Sequence, residues 1–62
     1  MLKVIYRERQ FINKYKCIDN LKELHAHSYF TSGISGDLYY FKLSEFNYKT
    51  LSAEDIISIE EV

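Results

Sequence analysis

Apolar and polar residues alternate along much of the chain with the period of two that is typical of β-strands. The clearest alternation covers residues 2–6, and the polar stretch 7–10 that follows predicts a turn. A second alternating run over 11–18 would then pair with the first, although no Asn-Gly or Asp-Gly pair marks the turn. The chain therefore opens with a predicted β-hairpin.

The pattern changes after residue 18. Asn20 and Glu23 have the spacing of a variant capping box, and Leu21 and Leu24 fall on one helical stripe. These four residues predict a short helix over 20–27. Residues 31–37 contain both glycines of the chain and predict a loop.

Three more strands are predicted in the second half, over 38–43, 46–51 and 56–60. The first of them is aromatic on both faces, which favours a central position in a sheet. Between the last two strands, Ser52 has a hydroxyl that would cap a single helical turn over 52–55.

The predicted fold class is therefore β-rich α+β, with five short strands and one short helix between strands 2 and 3. Short connections favour antiparallel pairing, and strands this short must curl to enclose a core. Two arrangements remain open, namely a small barrel and a highly twisted open sheet with the helix on one face. The barrel resembles SH3-like domains, in which a single helical turn precedes the last strand. This resemblance is architectural and implies no function.

The length of 62 residues predicts a single small domain, 1–62, with a thin margin of stability. Six tyrosines and four phenylalanines offer large side chains for its core. Cys17 is the only cysteine, which excludes an internal disulfide and a cysteine-rich zinc site. The alternating, charged N-terminus is not typical of a signal peptide, and no apolar run is long enough to span a membrane. We therefore expect a cytoplasmic protein.

The net charge is −1, but the charges are unevenly placed. Residues 1–31 carry six basic and three acidic side chains, a net +3, whereas residues 32–62 carry two basic and six acidic ones, a net −4. This asymmetry would give a dipolar surface, or would cancel if the two halves interleave in a sheet.

Few residues suggest catalysis or cofactor binding. The sequence His25-Ala26-His27 lacks further histidine or cysteine ligands, and histidines two apart diverge on the predicted helix, so we expect no metal site. Cys17 alternates with Phe11 and Tyr15, which predicts a buried apolar role rather than a nucleophile assisted by a histidine. The loop 33–36 precedes a strand rather than a helix, unlike a phosphate-binding loop. The sequence thus predicts no catalytic residue, no cofactor and no small-molecule substrate.

The remaining candidates are binding surfaces. The first hairpin carries a basic and aromatic set that would follow a phosphate backbone while rings stack on bases, namely Arg7, Arg9, Lys14, Tyr15 and Lys16. The mildly acidic chain as a whole argues against nucleic acid, for which a basic excess is typical. Our first hypothesis is therefore a non-enzymatic binding or regulatory module that contacts another protein or a second copy of itself. A small nucleic-acid-binding barrel that uses the basic hairpin is the alternative.

Overall fold

The computed structural model describes all 62 residues and contains six antiparallel strands and one short helical turn. The strands form two three-stranded sheets, with the orders β2-β1-β6 and β3-β4-β5. Their bounds are β1 Leu2–Asn13, β2 Lys16–Ala26, β3 Ser28–Ser32, β4 Leu38–Lys42, β5 Tyr48–Ser52 and β6 Ile56–Glu61. A 3₁₀ helix, Ala53–Asp55, leads from β5 into β6. The β-rich, antiparallel character predicted from the sequence is confirmed.

The core lies between the two sheets and is small. Val4 and Tyr6 of β1 and Ala26 of β2 meet Phe41 of β4, and these four are the only buried residues. Half-buried apolar side chains surround them, among them Leu24, Tyr39, Leu43, Leu51, Ile56 and Ile59. Val4 and Tyr6 are two residues apart and buried on the same face of β1, which confirms the alternation predicted over residues 2–6.

The two sheets are connected at two points. At His27 the chain leaves β2 and enters β3, and the His27 backbone N–H donates to the carbonyl of Lys42 at 2.8 Å. The second connection is the 3₁₀ helix from β5 into β6, at whose start the Ala53 N–H continues the β4–β5 pairing by donating to the Asp37 carbonyl at 2.7 Å. The strand ladders nevertheless remain two separate sheets and do not form the closed barrel.

The predicted turn at residues 7–10 is wrong, because β1 continues through it to Asn13. Polar side chains in this stretch find cross-strand partners. Arg9 lies opposite Asp19 with 3.4 Å between its Nε and the carboxylate, and the amide of Asn20 donates to Gln10 at 3.1 Å. Such pairs stabilise a ladder as apolar pairs do, so polarity here does not mark a turn.

The predicted helix over 20–27 is also wrong, because these residues belong to β2 and to the bend at His27. Pairing with β1 extends from Leu2 opposite Ala26 to Asn13 opposite Lys16. This ladder supplies far more hydrogen bonds than one isolated helical turn, so tertiary pairing overrides the local capping signal. The correction leaves no α-helix. The sixth strand is β3, Ser28–Ser32, which was not predicted and which includes the first two residues of the predicted loop 31–37.

The second half of the chain follows the predictions more closely. β4 is central in its sheet, and the loop before it contains Gly33 and Gly36, whose φ angles are +94° and +70°. Both angles lie in the left-handed region that glycine adopts without strain. The helical turn before β6 is present, but the Ser52 side chain makes no capping hydrogen bond. β5 begins at Tyr48 rather than at residue 46, because residues 44–47 form a turn.

Candidate functional site

The outer part of the β1–β2 hairpin stands out from the body of the protein. We call residues 7–21 the arm, because none of its side chains is buried and residues 8–19 are all exposed. The radius of gyration is 12.8 Å, whereas about 10.6 Å is typical of a compact domain of this length. The accessible surface is 4731 Å², against about 4,200 Å² for a compact monomer of this mass. The arm thus adds accessible surface that does not pack against the small core.

The tip of the arm is a two-residue turn, Lys14-Tyr15, between Asn13 and Lys16. No residue here has a positive φ, so the turn is not of the usual primed hairpin type. Instead the Asn13 side-chain oxygen accepts a hydrogen bond from the Tyr15 N–H at 2.8 Å, and the register shifts between Phe11 and Asn13. An Asx turn and a bulge therefore close this hairpin without glycine.

Large apolar side chains are exposed along the arm. Phe11 is 74% exposed, Leu21 is 70% exposed and Tyr15 at the tip is 87% exposed. Phe11 lies opposite Cys17 and Leu21 opposite Arg7, and this alternation places both apolar side chains on the same face of the hairpin. Ile18 lies opposite Gln10 on the other face. The Arg9–Asp19 pair lies between Phe11 and Leu21 on the first face, so the arm exposes two large apolar side chains separated by an ion pair.

The basic residues predicted as a site separate into two groups. Arg7 at the base of the arm donates from Nη2 to the Glu54 carbonyl at 3.0 Å and lies 3.7 Å from the Asp55 carboxylate. Arg9 pairs with Asp19 across the strands. Both guanidinium groups are therefore bound to carbonyl or carboxylate groups of the same chain.

The other three residues of the predicted set lie together at the tip. Lys14 Nζ lies 5.1 Å from the centre of the Tyr15 ring, and Lys16 follows directly. Neither lysine forms an ion pair in the structure. The structure therefore brings Lys14, Tyr15 and Lys16 together, and it places Arg7 and Arg9 further back in ion pairs.

A depression of about 630 Å³ lies between the loop that precedes β4 and the 3₁₀ helix. Its lining residues include the acidic Asp37 and Glu54 and the apolar Leu38 and Ala53, and none of them is basic. Because Arg7 contacts the Glu54 carbonyl, this acidic depression lies beside the base of the arm. Sequence reasoning missed it, since its two walls are about fifteen residues apart along the chain.

A second surface that sequence reasoning missed is the outer face of the β3-β4-β5 sheet. The Phe30 and Tyr40 rings stack with their centres 4.9 Å apart, and Tyr48 meets Phe30 edge-on at 6.3 Å. Phe30 and Tyr48 are exposed. The aromatic residues on both faces of β4 were the available signal, because one of its two faces must lie outside the core.

The histidines lie on a strand and its bend, not on a helix. His25 Nε2 lies 3.0 Å from the Glu23 carboxylate, and Lys3 lies 3.7 Å from the same group. The hydrogen bond to His25 lowers the pKa of Glu23 below its ordinary value, and the charge of Lys3 acts in the same direction. His27 lies at the bend between β2 and β3. No three histidine, cysteine, aspartate or glutamate side chains converge to hold a metal ion.

Cys17 is exposed near the tip of the arm, so the prediction that it is buried is wrong. The reason is that the alternating face it shares with Phe11 belongs to the arm, which has no second layer packed against it. His25 is eight residues further along the same strand, about 26 Å away at the usual rise per residue. The thiol and this imidazole are therefore too far apart to act together.

The chain matches no known family model, no curated protein and no solved structure. No helix in the structure combines the length and the apolar character needed to cross a membrane.

Proposed function

We propose that the protein is a non-enzymatic binding or regulatory module that contacts another protein or a second copy of itself through its arm. The observation that carries this proposal is the exposure of Phe11, Tyr15 and Leu21 on a paired, protruding hairpin. Aromatic and aliphatic side chains of this size typically supply most of the binding energy of an interface when a partner covers them. The strand ladder holds them in place, so little ordering is needed on binding.

The architecture supports the same proposal. We infer that the connectivity is an SH3-like one, in which a bend at His27 and the 3₁₀ helix join two small sheets. A scaffold of this size has little room for a cleft with a positioned acid, base and nucleophile, whereas a hairpin presents a contact surface directly. A cytoplasmic location belongs to this proposal, because the exposed, unpaired Cys17 is typical of a reducing compartment.

A second candidate function is nucleic-acid binding through the same arm. It is favoured by one observation, namely that Lys14 and Lys16 flank the exposed Tyr15 ring and form no ion pairs. Lysines could contact phosphates while the ring stacks on a base. The ion pairs of Arg7 and Arg9 reduce the basic surface available for this role.

Photo-crosslinking in the source cell tests the proposal. A photoreactive amino acid at Leu21, on the arm, should give a discrete protein adduct, because a partner covers this face. The matched control is the same substitution at Ile57, which is 57% exposed on β6 in the body. It should give no such adduct.

Equal labelling at the two positions, or none at either, would contradict the proposal. An adduct at Leu21 that nuclease removes would favour the second candidate. Binding of the purified protein to mixed nucleic acid at low salt should then weaken steeply as salt rises.

A further inference from the structure

The charges of the arm and of the body are opposite in sign. The arm, residues 7–21, carries four basic and two acidic side chains, a net +2, and the rest of the chain carries four basic and seven acidic ones, a net −3. Only some of these charged side chains form ion pairs within the chain. The tip lysines 14 and 16 have no acidic partner, and Asp37 and Glu54 of the depression have no basic one.

The tip and the depression also match in chemical character. The tip presents an aromatic ring between two ammonium groups, Lys14-Tyr15-Lys16. The depression is lined by the apolar Leu38 and Ala53 together with the acidic Asp37 and Glu54. An aromatic anchor in a pocket, with complementary charges at its rim, is the arrangement that well-formed protein interfaces typically have.

We propose that the occupant of this depression is the arm tip of a second copy of the chain, in a two-fold symmetric dimer. The tip begins at Lys14, seven residues beyond Arg7 and about 23 Å from the base of the arm at the usual rise per residue. The depression lies beside that base. When the arms of two copies lie next to each other and run in opposite directions, the tip of each arm therefore lies at the depression of the other copy. This inference rests on the proposed function and names the partner.

The same arrangement covers the exposed apolar face. Phe11 lies near the tip and Leu21 lies opposite Arg7 at the base, on the same face, so in an antiparallel pair of arms that meet on this face each is covered by the other arm. The two-fold axis makes both tip–depression contacts equivalent and closes the assembly at two copies. A parallel pair of arms would instead bring the lysines of the two tips together, and the like charges would repel.

A charge exchange between tip and depression tests the proposal in the purified full chain. Sedimentation velocity over a range of concentrations should show wild-type dimers of twice the 7.4 kDa mass. Lys16→Glu and Glu54→Lys should each raise the dissociation constant by about tenfold or more, because each puts like charges at both contacts. Both side chains are exposed, and the hydrogen bond at residue 54 uses only its carbonyl, so the fold tolerates both changes.

An equimolar mixture of the two variants should recover association close to the wild-type level. In the mixed pair, one contact keeps the native charges and the other has them exchanged. The matched control is Lys42→Glu, which makes the same charge change on the β3-β4-β5 sheet and should leave the dissociation constant within about twofold of wild type.

Three outcomes would overturn the proposal: a wild-type chain that stays monomeric up to millimolar concentration, equal weakening by Lys16→Glu and Lys42→Glu, or a variant mixture that does not associate. A monomer that is nevertheless crosslinked at Leu21 to a different protein would reject self-association and leave the proposed function standing. A monomer without any such adduct would reject both.

Discussion

Glu23 and His25 show how a single change of local structure alters the chemistry of side chains. On the predicted helix, residues two apart point in different directions, and these two groups would not meet. On β2 they lie on the same face with Lys3 opposite, and the hydrogen bond between them lowers the pKa of Glu23. The sequence contains the three residues, but their contact depends on whether this segment is a strand.

The lowered pKa has a definite consequence for stability. The fold favours the ionised form of Glu23, so this group stabilises the protein above its ordinary pKa of 4.5, and the contribution is lost as the pH falls through the lower folded value. An NMR titration of the Glu23 carboxyl should show a midpoint below 4.5 in the folded protein. His25→Ala should raise this midpoint more than Lys3→Met does, because the hydrogen bond is the larger cause. A midpoint that does not respond to His25→Ala would contradict the assignment.

At the scale of elements, sequence periodicity predicted some strands well and one helix wrongly. β4 and β6 are short apolar runs with clear boundaries, and the glycine loop before β4 has the positive φ angles expected. The position of the first hairpin's turn was predicted wrongly for a different reason. Its turn depends on the Asn13 side chain and a bulge, and its polar middle depends on pairs such as Arg9 with Asp19. Such pairs become visible only when the register of the two strands is known.

The same limit applied to the candidate site. Lys14, Tyr15 and Lys16 are consecutive, so sequence reasoning placed them together correctly. It could not show that Arg7 is held by Asp55, since this ion pair joins β1 to the 3₁₀ helix, which is far away in the chain. The depression and the exposed outer aromatic face likewise depend on sheet topology.

At the scale of the whole molecule, a core of four buried residues supports two sheets and a projecting arm. A domain of this length is typically stable by only about 3–9 kcal/mol, so each core side chain matters. Phe41→Ala removes a fully buried ring and should lower the free energy of unfolding by about 3–5 kcal/mol. Phe11→Ala makes the same chemical change on the exposed arm and should cost less than about 1 kcal/mol. Urea unfolding followed by circular dichroism measures both, and equal costs would contradict the division into core and arm.

The central claim is that residues 7–21 form a paired, projecting hairpin, because the tip, the apolar face and the proposed contacts all depend on it. NMR distance measurements across the two strands test this claim most directly. We expect contacts between Glu8 and Asn20 and between Gln10 and Ile18, which lie opposite each other in the ladder. Contacts between residues three apart within 20–27, together with no contact across the strands, would show a helix in place of β2 and contradict the account.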